Sequence, residues 1–335
     1  MSKMIITVDT LGGDNGSEFI IQGISEAMAM HDDFDIIVTG KEEELKKHID
    51  KYKCDKNRIS IINATEEITC HDAPVEAIRK KKESSLVLAL NTVKEGKAQA
   101  CISSGNSGAI LAGGQFIVGR AKGVKRTPLA PLLPTMGKPS LLIDCGANVD
   151  AKPENLVQFA KMGSIYMENI EGVKKPKVGI VNIGVEDEKG NALVKETIPL
   201  LRECKDINFI GSVEARDIPK GVADVLVCEA FVGNVALKLY EGVGAMFMTE
   251  IKRTLMSSLK TKIGAALINK TLKNTLRKYK ATDKGGAPLL GLKGLVVKIH
   301  GNCKNTEVSS AIEQCRNFIL NNVTDKIVSA FENGE

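Results

Sequence analysis

The chain has 335 residues, 43% hydrophobic and 26% charged, with a formal net charge of +5. That length is about twice a usual single domain, and the composition is that of a globular protein with a substantial core, which excludes a disordered tail, a collagen-like chain and a small disulfide scaffold. Aromatic residues make up only 4% and Trp is absent, so base-stacking platforms are not expected and no nucleic-acid partner is predicted.

The first predicted strand, Met4–Val8, begins almost at the N-terminus, with neither a basic-then-apolar leader nor a small-residue cleavage site ahead of it. No apolar run approaches the roughly 20 residues of a membrane-spanning helix. A cytoplasmic protein is the expectation. Further strands are predicted at Asp35–Thr39, Ile59–Ile62, Ala98–Ser103, Ser140–Asp144, Lys177–Asn182, Asp224–Val227 and Val296–Ile299. Several are nearly continuous Ile, Val and Leu, the pattern of strands covered by helices on both faces. Helical segments fall between them. Asp72 reads as the N-cap, ahead of Pro74, of a helix carrying Arg79-Lys80-Lys81-Lys82. Ser84-Ser85 then precede Leu86, Val87, Leu90 and Val93, and Gly96 stands where that helix should stop. This alternation predicts a three-layer α/β/α fold over residues 1–335, one doubly wound sheet with no internal repeat and no linker separating two domains.

The alternation breaks over residues 237–280. Ile251, Leu255, Leu259, Ile263 and Leu267 recur at every fourth position, followed by Leu272 and Leu276. The segment reads as an inserted helical hairpin, apolar on one face and basic on the other, with its turn near Asn269. Between Ile251 and Thr282 stand Lys252, Arg253, Lys260, Lys262, Lys270, Lys273, Arg277, Lys278 and Lys280 with no acidic residue. Removing that +9 from the net +5 leaves about −4 elsewhere, so the basicity is local. The eight cysteines (54, 70, 101, 145, 204, 228, 303, 315) form no C-x-x-C, and the histidines at 31, 48, 71 and 300 are scattered. Neither a metal site nor a disulfide framework is expected; thiols packed as small apolar groups are.

In wound sheets, ligands lie beyond the carboxyl ends of strands. Five loops in such places are rich in Gly, Ser, Asn and Asp. They are Asp9-Thr10-Leu11-Gly12-Gly13-Asp14, Ser103-Ser104-Gly105-Asn106-Ser107-Gly108-Ala109, Asp144-Cys145-Gly146-Ala147-Asn148, residues 182–191 containing Lys189, and Glu229-Ala230-Phe231-Val232-Gly233-Asn234. Small residues at a strand–helix junction let backbone N–H groups approach an anion. There is no P-loop lysine motif, no dinucleotide fingerprint at Gly242-x-Gly244 and no G-x-S-x-G elbow. A phosphate-holding enzyme without those signatures can use phosphate itself as nucleophile, which demands orientation and charge compensation more than a strong base.

Taken in order with Gly285-Gly-Ala-Pro-Leu-Leu-Gly291, these loops resemble the phosphate acyltransferase family called PlsX over about residues 4 to 330. The resemblance implies a fold related to isopropylmalate dehydrogenase and phosphotransacetylase. It implies transfer of a fatty acyl group from acyl carrier protein to inorganic phosphate, giving acyl-phosphate for phospholipid synthesis. It further implies a homodimer, peripheral contact with an anionic cytoplasmic membrane and the downstream glycerol-phosphate acyltransferase as a candidate partner; no cofactor or metal is implied. On this basis phosphate is expected at Ser104, Gly105, Ser107 and Gly108, with Arg79 or Lys189 offsetting its charge and Asn106 and Asn148 holding its oxygens. Lys189 and Asn234 are the candidates for stabilising the tetrahedral oxyanion. His71 is a candidate donor to the departing thiolate, and Asp9, Gly12, Gly13, Asp14 and Asp144 complete the binding side. The hairpin base is expected to form the dimer, and its tip, near Leu259, Ile263 and Leu267, to touch lipid; its basic face also suits an acidic carrier protein. Thr10 and Leu11, Ser104 and Ser107, Val185 and Glu229-Ala230 depart from the family pattern, the last pair reshaping one wall of the cleft. Competing readings are a phosphotransacetylase using acetyl-CoA, a metal- and NAD-dependent dehydrogenase, for which no aspartate cluster on one helix is visible, and a non-catalytic membrane-docking scaffold.

Overall fold

Strands and helices alternate in the computed structural model, which describes residues 3–277 and 285–332. The first half comprises β1 (Met4–Asp9), α1 (Gly16–Met30), β2 (Phe34–Gly40), α2 (Glu42–Lys51), β3 (Ile59–Asn63), α3 (Pro74–Lys80), α4 (Ser85–Lys94), β4 (Ala100–Ser103) and α5 (Ser107–Gly113). There follow β5 (Leu132–Leu133), β6 (Ser140–Ile143), α6 (Pro153–Asn169), β7 (Lys177–Asn182), α7 (Ala192–Glu203), β8 (Asn208–Glu214) and β9 (Val225–Val227). The chain continues through α8 (Ala230–Leu255), α9 (Leu259–Arg277), β10 (Ala287–Leu289), β11 (Leu295–Lys298), α10 (Asn305–Leu320) and α11 (Val323–Glu332). All the predicted strands are present within two residues of their expected ends. Three more escape the apolar pattern. β5 and β10 are two and three residues long with Pro131 and Pro288 beside or within them, and β8 is a half-exposed edge strand broken by Gly211 at φ +98°.

The strands do not form one sheet, as the sequence had suggested, but two. The first has the order β10-β11-β4-β1-β2-β3 and the second β5-β6-β9-β7-β8. Pairing is parallel throughout except β10 with β11 and β5 with β6. Residues 128–133 stitch the two together. Ala130 N donates to Pro288 O (3.0 Å) and Leu290 N to Pro128 O (3.1 Å) on one side, while Leu142 N donates to Pro131 O (3.0 Å) on the other. Alternate strand residues enter opposite layers: Val297, Leu141 and Ile143 join one apolar cluster, Val296 and Leu142 the other. A strand buried on both faces is apolar at most positions, which accounts for the Ile/Val-rich runs and gives the three-layer α/β/α class expected from the sequence.

Two local expectations change. The N-cap of α3 is Ala73, not Asp72; the Asp72 carboxylate instead takes the Thr69 N–H and hydroxyl and pairs with Lys81 Nζ at 2.8 Å. The hairpin turns at residues 256–258, not near Asn269. There Ser258 and Thr261 cap each other: Ser258 N donates to Thr261 Oγ1 (3.0 Å) and Thr261 N to Ser258 Oγ (3.2 Å). Satisfying orphan N–H groups in this way starts a new helix in the middle of an unbroken apolar period. Leu259, Ile263 and Leu267 on α9 are 77%, 58% and 82% exposed. Lys278 and Lys280 lie outside the described residues.

Candidate active site

Parallel register brings four strand ends into one row: Lys298 lies beside Ser103, Ser103 beside Asp9, and Asp9 beside Thr39. Register partners in parallel strands point to the same face, and here polar groups replace the apolar core. Asp9 is 1% exposed; its carboxylate accepts from Ser103 Oγ at 2.6 Å and Leu11 N at 3.1 Å. Burial pushes its pKa up to about 6 against the pull of those hydrogen bonds. The next loops pack directly on this row. A Cβ at Gly12 (φ +81°) would meet Ile68 O at 2.9 Å and Gly105 Cα at 3.2 Å, and one at Gly13 would meet Ser104 Oγ at 2.4 Å. Ser104 Oγ itself is buried with no hydrogen-bond partner among the described residues. Asp14 anchors the same loop to the chain after β11, its N–H donating to Gly301 O at 2.7 Å.

Across the stitch, the loop after β6 is organised by Asp144. Its fully buried carboxylate accepts from Leu129 N, Gly146 N, Ala147 N, Asn148 N and Asn148 Nδ2 at 2.7–3.1 Å. Burial raises the Asp144 pKa and the hydrogen bonds oppose it. The N-terminus of α8 closes onto this loop so tightly that a Cβ at Gly233 would lie 1.9 Å from Asp144 O. Glu229 caps that helix, its carboxylate accepting from Phe231 N and from Val232 N at 2.9 Å. The longer acid at position 229 therefore still serves as an N-cap.

Between these two loop systems lies a cleft with a volume of about 170 Å³. It sits where the parallel order of the sheets is interrupted by the antiparallel β5 and β10, the kind of strand-order switch at which wound folds bind ligands. Ser107 of α5, Cys145 and Gly146 of the β6 loop, Asn234, Lys238 and Glu241 of α8, Lys298 at the end of β11, His300 just after it, and Glu307 of α10 contribute to its walls. Glu241 spans Lys238 Nζ (3.0 Å) and His300 Nε2 (3.5 Å). Lys298 makes no ion pair or hydrogen bond through its ammonium among the described residues; burial and then the nearby Lys238 lower its pKa. Burial raises the pKa of Glu307, whose Oε1 accepts from His300 N at 3.2 Å. The Cys145 thiol is pushed well above its usual range by burial, which keeps it protonated and unreactive.

Ser107 and Asn234, singled out from sequence, thus line the cleft, and Asp9, Gly12, Gly13, Asp14, Ser104 and Gly105 form the adjoining loops. Two assignments change. Asn106 caps α5, accepting from Ala109 N at 3.1 Å, and its Nδ2 donates to Thr69 O and Asp72 O. Asn148 Nδ2 donates to Thr127 O and Asp144 Oδ2. With their amide hydrogens committed to the fold, neither side chain is available to hold phosphate oxygens. Gly108 packs on Pro74, 2.5 Å from where its Cβ would be. Three further candidates stand outside the cleft walls: His71 is exposed in the loop before α3, Arg79 is exposed on α3, and Lys189 is half exposed beyond β7, 3.1 Å from Glu186. The cations missed from sequence, Lys298 and Lys238, had a readable sign in one case. Lys298 is a charge inside the otherwise apolar predicted strand Val296–Ile299, and it becomes the carboxyl end of β11. Among the described residues no group of three or more His, Cys, Asp or Glu is arranged to hold a metal ion.

The sequence profile of the family described as "Fatty acid synthesis protein" matches residues 4–326. A phosphate acyltransferase from Clostridium botulinum (strain ATCC 19397 / Type A) is 48% identical over 313 residues, 93% of each chain. One from Clostridium novyi (strain NT) is 47% identical over 329 residues, 98% of this chain and 99% of the relative. Among solved structures, a phosphotransacetylase from Streptococcus pyogenes superposes with a TM-score of 0.64 at 16% identity, covering 96% of this chain and 94% of that one. The EutD phosphotransacetylase from Staphylococcus aureus gives 0.61 at 19% identity, covering 98% and 94%. At those identities the superpositions speak to fold alone.

Proposed function

Because the chain belongs to the fatty acid synthesis protein family, whose members among its relatives are phosphate acyltransferases, we propose that it moves a long-chain fatty acyl group from the thioester of acyl carrier protein to inorganic phosphate. The observation that carries this reading is the cleft at the strand-order switch. It is a small, mostly apolar cavity whose lining includes the Lys298 ammonium, which has no ion-pair partner among the described residues, and Asn234. Phosphate, substantially dianionic near neutral pH, attacks the thioester carbonyl carbon; the new C–O bond forms, the C–S bond breaks, and the carrier leaves as its thiolate. The catalytic need is to hold two reactants in line and to stabilise the oxyanion that forms between them. Asn234 is the donor to that oxyanion. Lys189, held by Glu186 on the exposed loop beyond β7, is the outer cation that exchanges its partner for the incoming acyl donor.

The hairpin is proposed to serve delivery. Exposed apolar residues on α8, among them Leu239, Met246 and Phe247, suit a homodimer contact, and the exposed Leu259, Ile263 and Leu267 flanked by Lys260 and Lys262 suit an anionic membrane surface on the cytoplasmic side. There the product would pass to a glycerol-phosphate acyltransferase. No helix among the described residues is long and apolar enough to cross a membrane.

The test pairs two acyl donors with phosphate, long-chain acyl carrier protein and acetyl-CoA, and traps acyl-phosphate with hydroxylamine. Preference for the carrier-protein donor is expected. Preference for acetyl-CoA would favour the phosphotransacetylase reading instead. Asn234→Ala should lower turnover by about 100-fold or more; near-normal turnover in the folded variant would remove Asn234 from the mechanism.

A further inference from the structure

Phosphate needs a cation, and neither Arg79 nor Lys189, the two expected from sequence, lines the cleft. We propose that Lys298 is the residue that receives the phosphate: its half-buried ammonium, at the carboxyl end of β11, has no carboxylate within ion-pair distance among the described residues and lines the same cavity as Ser107 and Asn234. This inference rests on the phosphate acyl-transfer reading and adds the identity of the anion-holding group.

A lysine is rarely withdrawn from water without a partner, because desolvation penalises the charged form. Lys298 bears that cost, and the neighbouring Lys238 adds repulsion to it. A dianion entering the cavity offsets both: its attraction to the two ammonium groups and its hydrogen bonds replace the lost hydration and outweigh their mutual repulsion. The carboxylates around the cavity do not cancel this arrangement. Glu241 is already shared between Lys238 Nζ and His300 Nε2. Glu307 is 5% exposed, accepts the His300 N–H, and is biased toward its neutral form by burial. The pocket therefore presents one ammonium, that of Lys298, with no ion-pair partner among the described residues where an anion can reach it.

Strand register gives Lys298 its position. It stands beside Ser103, which is held by Asp9, so its backbone is fixed by the central ladder of the first sheet. Asn234 reaches the cavity from the other side, on a helix that Gly233 seats against Asp144. A phosphate on Lys298 would lie between the two halves, with the thioester carbonyl presented from the Asn234 side.

Two measurements on the full chain test this. Acyl-phosphate formation at varied inorganic phosphate should show the phosphate KM raised about 10- to 100-fold in Lys298→Met, which keeps the apolar stem and removes the charge, with the KM for acyl carrier protein unchanged. Lys298→Arg should recover part of the loss. Calorimetric titration with inorganic phosphate alone should show the same weakening, and circular dichroism should report an intact fold. If wild-type turnover is normal and Lys298→Met keeps both its phosphate KM and its phosphate affinity, the assignment of Lys298 falls while acyl transfer stands. If the wild type makes no acyl-phosphate from either donor yet binds phosphate through Lys298, the transfer reading falls and the anion site stands.

Discussion

Asp9 shows how a side chain can be legible as important before its partners are. Its place after the first strand marked it as part of the binding side; the structure buries it and gives its carboxylate to Ser103 and Leu11. Its pKa of about 6, against an ordinary 3.8, means that ionisation is harder in the folded chain than in the unfolded one. The stabilising contribution is therefore complete below about pH 4 and is lost as pH rises through about 6. Asp9→Asn keeps the shape without the charge. The stability of the wild type relative to this variant should fall by up to roughly 3 kcal/mol between those limits. Denaturant titrations of both proteins across that range measure it, and parallel pH profiles would refute it. Asn106, Asn148 and Asp144 carry the same lesson: short polar side chains at turns bond first to nearby backbone. Composition marks such a loop without telling which of its members faces the ligand. Lys298 was overlooked for the opposite reason, since its strand was weighed as core.

Among the elements, the hairpin of α8 and α9 was visible as an apolar repeat but its turn was not. The spacing of Leu255, Leu259 and Ile263 runs on at every fourth residue across the break, so periodicity alone continues the helix. The break is a local event, made by Ser258 and Thr261 exchanging hydrogen bonds. It puts Leu259 at the very end of the hairpin, with Ile263 and Leu267 one and two turns along α9. If this end meets lipid, a Leu259/Ile263/Leu267→Glu triple variant should lose cosedimentation with anionic vesicles while keeping turnover on soluble acyl carrier protein. Undiminished sedimentation would exclude the hairpin end as the contact.

For the molecule as a whole, strand alternation was enough to predict the α/β/α class, because burial on both faces writes itself into every position of a strand. The division into two sheets was not legible. It depends on residues 128–133 and on β10, short pieces with Pro128, Pro131 and Pro288, whose apolar content is too brief to register as periodicity. Those same pieces form the floor of the cleft, through Leu129, Pro131, Leu132 and Ala287.

The stitch has a mechanical consequence. Prolines donate nothing to a ladder, so the two halves are tied here by a few isolated hydrogen bonds, whereas residues 6–9 of β1 are paired on both sides. Side-chain packing also crosses this seam, since one apolar cluster holds Ile6 and Val8 of the first sheet with Leu141 and Val225 of the second, but its backbone ties are few. Native-state hydrogen exchange should find the Ala130 and Leu290 amides opening well before those of Ile6 and Val8. Earlier exchange there would mean that the two plates can part slightly along the cleft while each keeps its own ladder; equal protection would mean that they behave as one block.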